Sequence, residues 1–222
     1  MFRLGSSGKM EKLANMLNLP VSRVGSADIP AGYTCRMAKD CKSYAIKETG
    51  KIHDAPSCKF RCYAASCESR FPRTRFFHWE NFDALRIAKT AGKITDIISS
   101  TIPEKLSVMR IHSFGDFFSD AYFQAWLNVA EKWNGVKFFA YSKMLDYIRI
   151  DRPDNFLMVY SFGGILDNMV KDEQYCKVVS KPSGSLPVAC QNHPADDYNF
   201  FLSGRSFEIV IHGTQPRGGM KE

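Results

Sequence analysis

From residue 107 onward, apolar and polar positions alternate in two rhythms that take turns. Ser107–His112, Val136–Tyr141 and Phe156–Tyr160 are short, dense apolar runs of strand length, while Ala121–Trp133 repeats its apolar positions at helical spacing and Met144–Ile150 predicts a shorter helix. Further short strands are expected at Gln174–Val179, Leu186–Cys190 and Phe207–Ile211. Upstream, Phe82, Leu85, Ile87, Ala88, Ile94, Ile97 and Ile98 place a helix over 81–99 with a break at Gly92, and Met10, Leu13, Met16 and Leu17 place an amphipathic helix over 9–17 that stops before Pro20. Strands joined by helical crossovers imply a parallel sheet, and about six such units make an α/β fold of the partial (β/α) barrel kind the economical solution, with an open doubly wound sheet as the alternative.

One stretch does not follow either rhythm. Between Gly32 and Cys67 the chain has almost no continuous apolar run, yet it holds Cys35, Cys41, Cys58, Cys62 and Cys67 out of 7 cysteines. Such a segment builds no hydrophobic core, so a group bound by sulfur is expected to hold it. Lys9, Glu11 and Lys12 interrupt any secretory apolar region, so a reducing, cytoplasmic setting is expected and disulfides are disfavoured. The wide gaps suit an iron–sulfur cluster better than a zinc hook, although zinc and inert thiols stay open. The expected organisation is a single domain over 1–222, with an N-terminal helical segment (1–30), a cysteine-rich basic loop (31–79) and βα repeats (80–222).

The composition changes this picture in one respect. A chain of 222 residues with 45% hydrophobic and 24% charged positions is ordinary for one globular domain, and it contains no run long enough to span a membrane. Its formal charge of +7 and pI near 9.0 favour an anionic partner, nucleic acid or a nucleotide. Lys39, Lys42, Lys59, Arg61, Arg73 and Arg75 are the expected phosphate contacts, because Phe71, Phe76, Phe77 and Trp79 are interleaved with them as stacking surfaces. Solvated lysines on a loop are the plainer alternative. Gly5-Ser-Ser-Gly8-Lys9 is not read as a phosphate loop, since no strand precedes it.

Three expected strands end in polar clusters: His112-Ser113-Phe114-Gly115-Asp116, Tyr141-Ser142-Lys143 and Ser161-Phe162-Gly163-Gly164. In a parallel sheet these ends share one rim, where ligands bind. His112 is the leading polar candidate and Asp116 the next, against the alternative of a hydrogen-bonded core histidine; Gly163-Gly164 by itself reads as a turn. Cys190, His193 and His212, with Asp196 or Asp197, form a second candidate metal set, unless Cys176 and Cys190 are simply small buried residues. Arg217 adds to the basic surface.

The motifs Gly32-Tyr-Thr-Cys35, Lys39-Asp40-Cys41, Phe60-Arg61-Cys62-Tyr63-Ala64, Arg110-Ile-His-Ser-Phe-Gly-Asp-Phe-Phe-Ser119 and Ile211-His-Gly-Thr-Gln-Pro216 together resemble the bacteriophage "gene product 88" family, from about residue 28 onward. That family in turn resembles radical S-adenosylmethionine proteins. The resemblance implies a radical-SAM-like barrel, a [4Fe-4S] cluster on Cys35, Cys41 and Cys62 with Tyr63 as the neighbouring aromatic, and S-adenosylmethionine on the open iron. Gly115-Asp116 resembles the Gly-Gly-Glu element of that superfamily, with Phe114 where glycine is usual. Tyr63, Ser113, Gly115, Asp116, Ser161, Gly163 and Gly164 are then expected around the cofactor, and His112, Asp116 and Tyr141 are the expected catalytic residues. The spacing Cys35-x5-Cys41-x20-Cys62 departs from the compact motif of radical enzymes. The resulting expectation is a phage iron–sulfur protein in the cytoplasm of an infected cell, acting on or near nucleic acid. Two other readings compete: a base-exchanging transglycosylase with Asp116 as nucleophile and zinc at Cys190, His193 and His212, and a non-catalytic module whose metal staples a nucleic-acid-binding loop.

Overall fold

The computed structural model describes residues 1–5, 8–189 and 194–216, with backbone only at 194–197. In chain order the elements are α1 (Gly8–Met16), β1 (Val24–Ala27), β2 (Ser43–Ala45), β3 (Ile52–Asp54), α2 (Tyr63–Arg70), α3 (Pro72–Ala88) and α4 (Ala91–Ser99). They continue with β4 (Val108–Ile111), α5 (Asp120–Lys132), β5 (Lys137–Ser142), α6 (Leu145–Ile148), β6 (Phe156–Ser161), β7 (Tyr175–Val179), β8 (Val188–Ala189), α7 (Pro194–Ser203) and β9 (Phe207–Val210). Seven strands pair in the order β1-β4-β5-β6-β7-β9-β8, all parallel, as one curled sheet that forms a half-barrel. The open doubly wound alternative is thereby set aside.

Pleating decides which side chains face which layer, because successive strand residues point to opposite faces. Met109, Ile111, Phe138, Ala140, Met158 and Tyr160 point outward, where they pack with Leu85, Ile94, Ile98, Trp126 and Leu145 of the helices α3 to α6. Val108, Phe139, Val159 and Phe207 point inward against Met10 and Leu13 of α1 and Tyr198 and Phe201 of α7. The concave face is therefore filled on one side by α1 and α7. The inward positions that follow along the same strands, Arg110, Tyr141 and Ser161, line open space.

Local signals explain most boundaries. Ser119 caps α5 by accepting from Tyr122 N at 3.2 Å, with Asp120 in its first turn and Lys132 in its last, as the helix dipole favours. Pro72 opens α3, where its missing N–H costs nothing. The helix expected over 81–99 is two helices: the break falls at Lys89, in the left-handed region at φ 60, and Gly92 lies inside α4. The stretch 31–79, expected as a loop, contains β2 paired antiparallel with β3, all of α2 and the first half of α3. β1 and α7 were not expected from the pattern. Among the described residues no helix is long and apolar enough to cross a membrane.

Candidate functional site

At the C-terminal ends of the strands the half-barrel opens into a cavity of about 660 Å³. Cys35, Cys41 and Cys62 line it; Cys58 and Cys67 do not. Each of the three arrives by a different route. Cys35 follows the turn after β1, where Gly32 stands at φ 69 and donates its N–H to Cys35 Sγ at 3.3 Å. Cys41 precedes β2, and Cys62 occupies the N-cap position of α2. Burial raises the Cys35 thiol well above its ordinary value, and Asp116, Cys62 and Cys41 raise it further. Cys62 is pushed up to about 12, first by burial and then by Cys41, against the opposing pull of the Ala65 and Ala64 N–H groups at the start of α2. The three sulfurs thus sit within electrostatic reach of one another.

The stretch carrying them is tied down from several sides. Gly163 O accepts from both Lys39 N and Asp40 N at 2.9 Å, and Ile165 N donates to Met37 O at 3.0 Å. Glu68 of α2, fully buried, accepts from Ala31 N and pairs with His78 Nδ1 at 2.6 Å. Arg75 donates to Glu68 O at 2.8 Å and Lys47 O at 2.9 Å. Arg61 N donates to Gln215 Oε1 at 2.9 Å, and Gln215 Nε2 returns a bond to Arg61 O at 3.1 Å.

The rim clusters divide by role. Asp116 is buried beside Cys35, and its carboxylate accepts from Ser142 Oγ at 2.7 Å, Phe117 N at 2.8 Å and Lys143 N at 3.0 Å. Burial nevertheless raises its acidity constant above the usual carboxylate range. Gly115 lies at φ 92, and a β-carbon there would stand 2.6 Å from Ile29 Cγ1 and 2.8 Å from both Ile29 O and Thr34 Oγ1. Ser113, Ser161, Tyr141 and Tyr63 line the cavity, with Tyr63 stacked on His212 at 4.6 Å between ring centres. His112 also borders it, but its Nε2 is hydrogen-bonded to Tyr122 Oη of α5 at 3.0 Å and its ring packs on Phe117, so the ring belongs to the aromatic layer behind the strand. Burial, then the charge of Arg110, holds His112 neutral, with its pKa lowered to about 3. Gly163 and Gly164 do not line the cavity; their N–H groups donate to Asp167 at 2.9 Å each, which makes them a clamped turn.

Two residues of the wall were not singled out from the pattern. Lys143 follows β5 and is buried, its Nζ donating to Ser161 O, Ser161 Oγ and Phe162 O at 2.7 to 2.9 Å. Burial pulls its pKa down, but Cys41, Cys176, Asp116 and Cys35 together leave it above the ordinary value. Arg110 projects from β4 into the same space; a lone arginine within Val108-Met-Arg-Ile111 was the available signal.

The expected phosphate-contact surface is corrected. Arg75 is 3% exposed and structural, Arg61 pairs with Asp54, Lys59 pairs with Asp40 at 3.2 Å, and Lys42 Nζ donates to Cys35 O at 2.6 Å. Lys39 and Arg73 remain on the surface. Trp79 is buried against Tyr33 and Phe82, so it offers no stacking face, whereas Phe71 and Phe76 are exposed. Cys176 is buried on β7 and faces the cavity. Cys190, His193 and Arg217 lie outside the described residues, as do the side chains of Asp196 and Asp197. Among the described residues no group of three or more His, Cys, Asp or Glu side chains is arranged to hold one metal ion.

A family model described as Gene product 88 matches residues 4–219. No curated protein and no solved structure matches the chain.

Proposed function

We propose that the chain, which belongs to the gene product 88 family, is an iron–sulfur protein whose Cys35, Cys41 and Cys62 hold a [4Fe-4S] cluster at the mouth of the half-barrel. One observation carries this reading: three thiols from three separate points of the stretch converge on a single cavity, while the other two cysteines of that stretch turn away from it. The donor set fits the group. Thiolates are the ligands iron–sulfur clusters take, and each binds a different iron, so they stand further apart than the ligands of one ion. When bound, a cluster with three protein ligands supplies one-electron chemistry and leaves one iron open to S-adenosylmethionine.

The chain's own residues support that role. Binding requires the thiols to lose their protons, which burial and mutual repulsion resist in the free protein. Lys143, a buried cation beside them, offsets the negative charge that accumulates. Asp116 joins the end of β4 to the end of β5 and so fixes the wall next to Cys35. Its three hydrogen bonds occupy both carboxylate oxygens, which argues against the nucleophile of the transglycosylase reading.

The test is the iron and acid-labile sulfide content after anaerobic reconstitution. Cys35→Ser, Cys41→Ser and Cys62→Ser should each lose the cluster, and Cys67→Ser, outside the cavity, should keep it. Wild-type protein that takes up no iron, or a Cys67→Ser variant that behaves like the other three, would overturn the assignment.

A further inference from the structure

The basic residues of the cysteine stretch are largely neutralised or buried within it, and the cationic excess of the site is turned inward. Among the described residues the cavity lining holds five cationic side chains, Lys9, Lys12, Arg61, Arg110 and Lys143, against one carboxylate, Asp116. Arg61 is paired with Asp54, and Lys143 lies beside Asp116 and the thiols. Lys9, Lys12 and Arg110 form a second group: the two lysines are a turn apart on α1, which packs against β1, and Arg110 projects from β4, the neighbour of β1.

Arg110 is 9% exposed, its guanidinium 5.1 Å from the centre of the Tyr141 ring and 5.9 Å from that of Phe139. A guanidinium held between rings keeps a fixed plane, and its fork matches a phosphate in two bonds, while ammonium groups add charge without fixing direction. Tyr141, Tyr63 and His212 give the same cavity flat walls. A cavity of about 660 Å³ is of the size that encloses one small ligand and not a strand of nucleic acid.

We infer that the interior of the half-barrel binds a phosphorylated ring compound of the mononucleotide class, with the phosphate on Arg110, Lys9 and Lys12 and the ring between the aromatic walls. This goes beyond the cluster reading, because these residues are in place whether or not the thiols carry iron.

The experiment is calorimetric titration of the full chain, its iron content measured alongside, with each common ribonucleoside 5′-monophosphate, the matching nucleoside and a short 5′-phosphorylated oligonucleotide. At least one monophosphate should bind, its nucleoside about tenfold or more weakly, with affinity falling as salt rises. Arg110→Gln and the double variant Lys9→Gln/Lys12→Gln should each weaken the monophosphate about tenfold. If Arg110→Gln does not fold, the lysine pair decides, since Lys12 is exposed and Lys9 half-buried. Equal affinity for nucleoside and nucleotide, binding of the oligonucleotide alone, no binding of any monophosphate, or an unchanged lysine variant would each overturn the inference. Iron-free protein that still binds would sink the cluster and spare the phosphate site; iron-loaded protein that binds no monophosphate would do the reverse.

Discussion

Gly115 gives the sharpest test of how the rim is built. Replacing it with alanine places a β-carbon 2.6 to 2.8 Å from Ile29 and Thr34, at a backbone φ of 92 that side chains rarely adopt. The left-handed backbone costs about 1–2 kcal/mol, and overpacking against Ile29 O, a backbone atom that has little room to yield, costs about 1–3 kcal/mol. Alanine's stiffer unfolded chain returns about 0.4–1 kcal/mol. The net expectation is a loss of about 1–4.5 kcal/mol. Gly92 is the internal control: it lies within α4 with nothing within 4 Å of an added β-carbon, so Gly92→Ala should gain about 0.5–1 kcal/mol. Urea unfolding of the two variants, followed by tryptophan fluorescence and far-UV circular dichroism, should shift the midpoint in opposite directions. Because Asp116 N donates to Thr34 Oγ1 at 3.3 Å, Gly115→Ala should also lower iron uptake. A Gly115→Ala protein as stable as wild type would refute the packing argument.

His112 is neutral in the fold and takes up a proton when the chain unfolds, so its contribution is complete above the unfolded value near 6.5 and is lost as pH falls towards about 3. Wild type should therefore lose about 1.4 kcal/mol per pH unit more than His112→Asn below pH ~6, measured by urea titration between pH 6 and pH 4; parallel curves would refute it. Arg75→Met removes bonds to two buried carbonyls and should cost about 3 kcal/mol or more, whereas Arg73→Met at the surface should stay within about 0.5 kcal/mol. Equal thermal stability of those two variants would place Arg75 on the surface after all.

The elements read most easily from the sequence were those whose own residues carry the pattern. β4, β5 and β6 are dense apolar runs, and α5 has both a cap and a regular stripe. β1 was invisible because Val24-Gly-Ser-Ala27 has a single large apolar residue; its burial comes from what covers it. α7 begins on proline and two aspartates, and its buried Tyr198 and Phe201 are three apart in a segment too short to show periodicity. The rim was legible because a parallel sheet places all strand ends together, yet which side chains turn inward depended on register. Arg110 and Tyr141 share the concave face; His112, the foremost expectation, sits on a left-handed residue at φ 65 that turns its ring to the helices. Lys9 and Lys12 reach the cavity only through the packing of α1, which no local pattern records.

The strand order carries a consequence for how the protein is made. β9 lies between β7 and β8 although it is synthesised after both, so the wall cannot be completed by adding strands in order of emergence from the ribosome. Gln215, which clasps Arg61, follows it by 154 residues, an interval of about 10–30 s at ~5–20 residues per second. During that time the cysteine stretch has been translated but lacks the far side of its enclosure. Its thiols are then open to air and to stray metals, and the moment of greatest chemical vulnerability belongs to the nascent chain, before the finished fold exists to shield them.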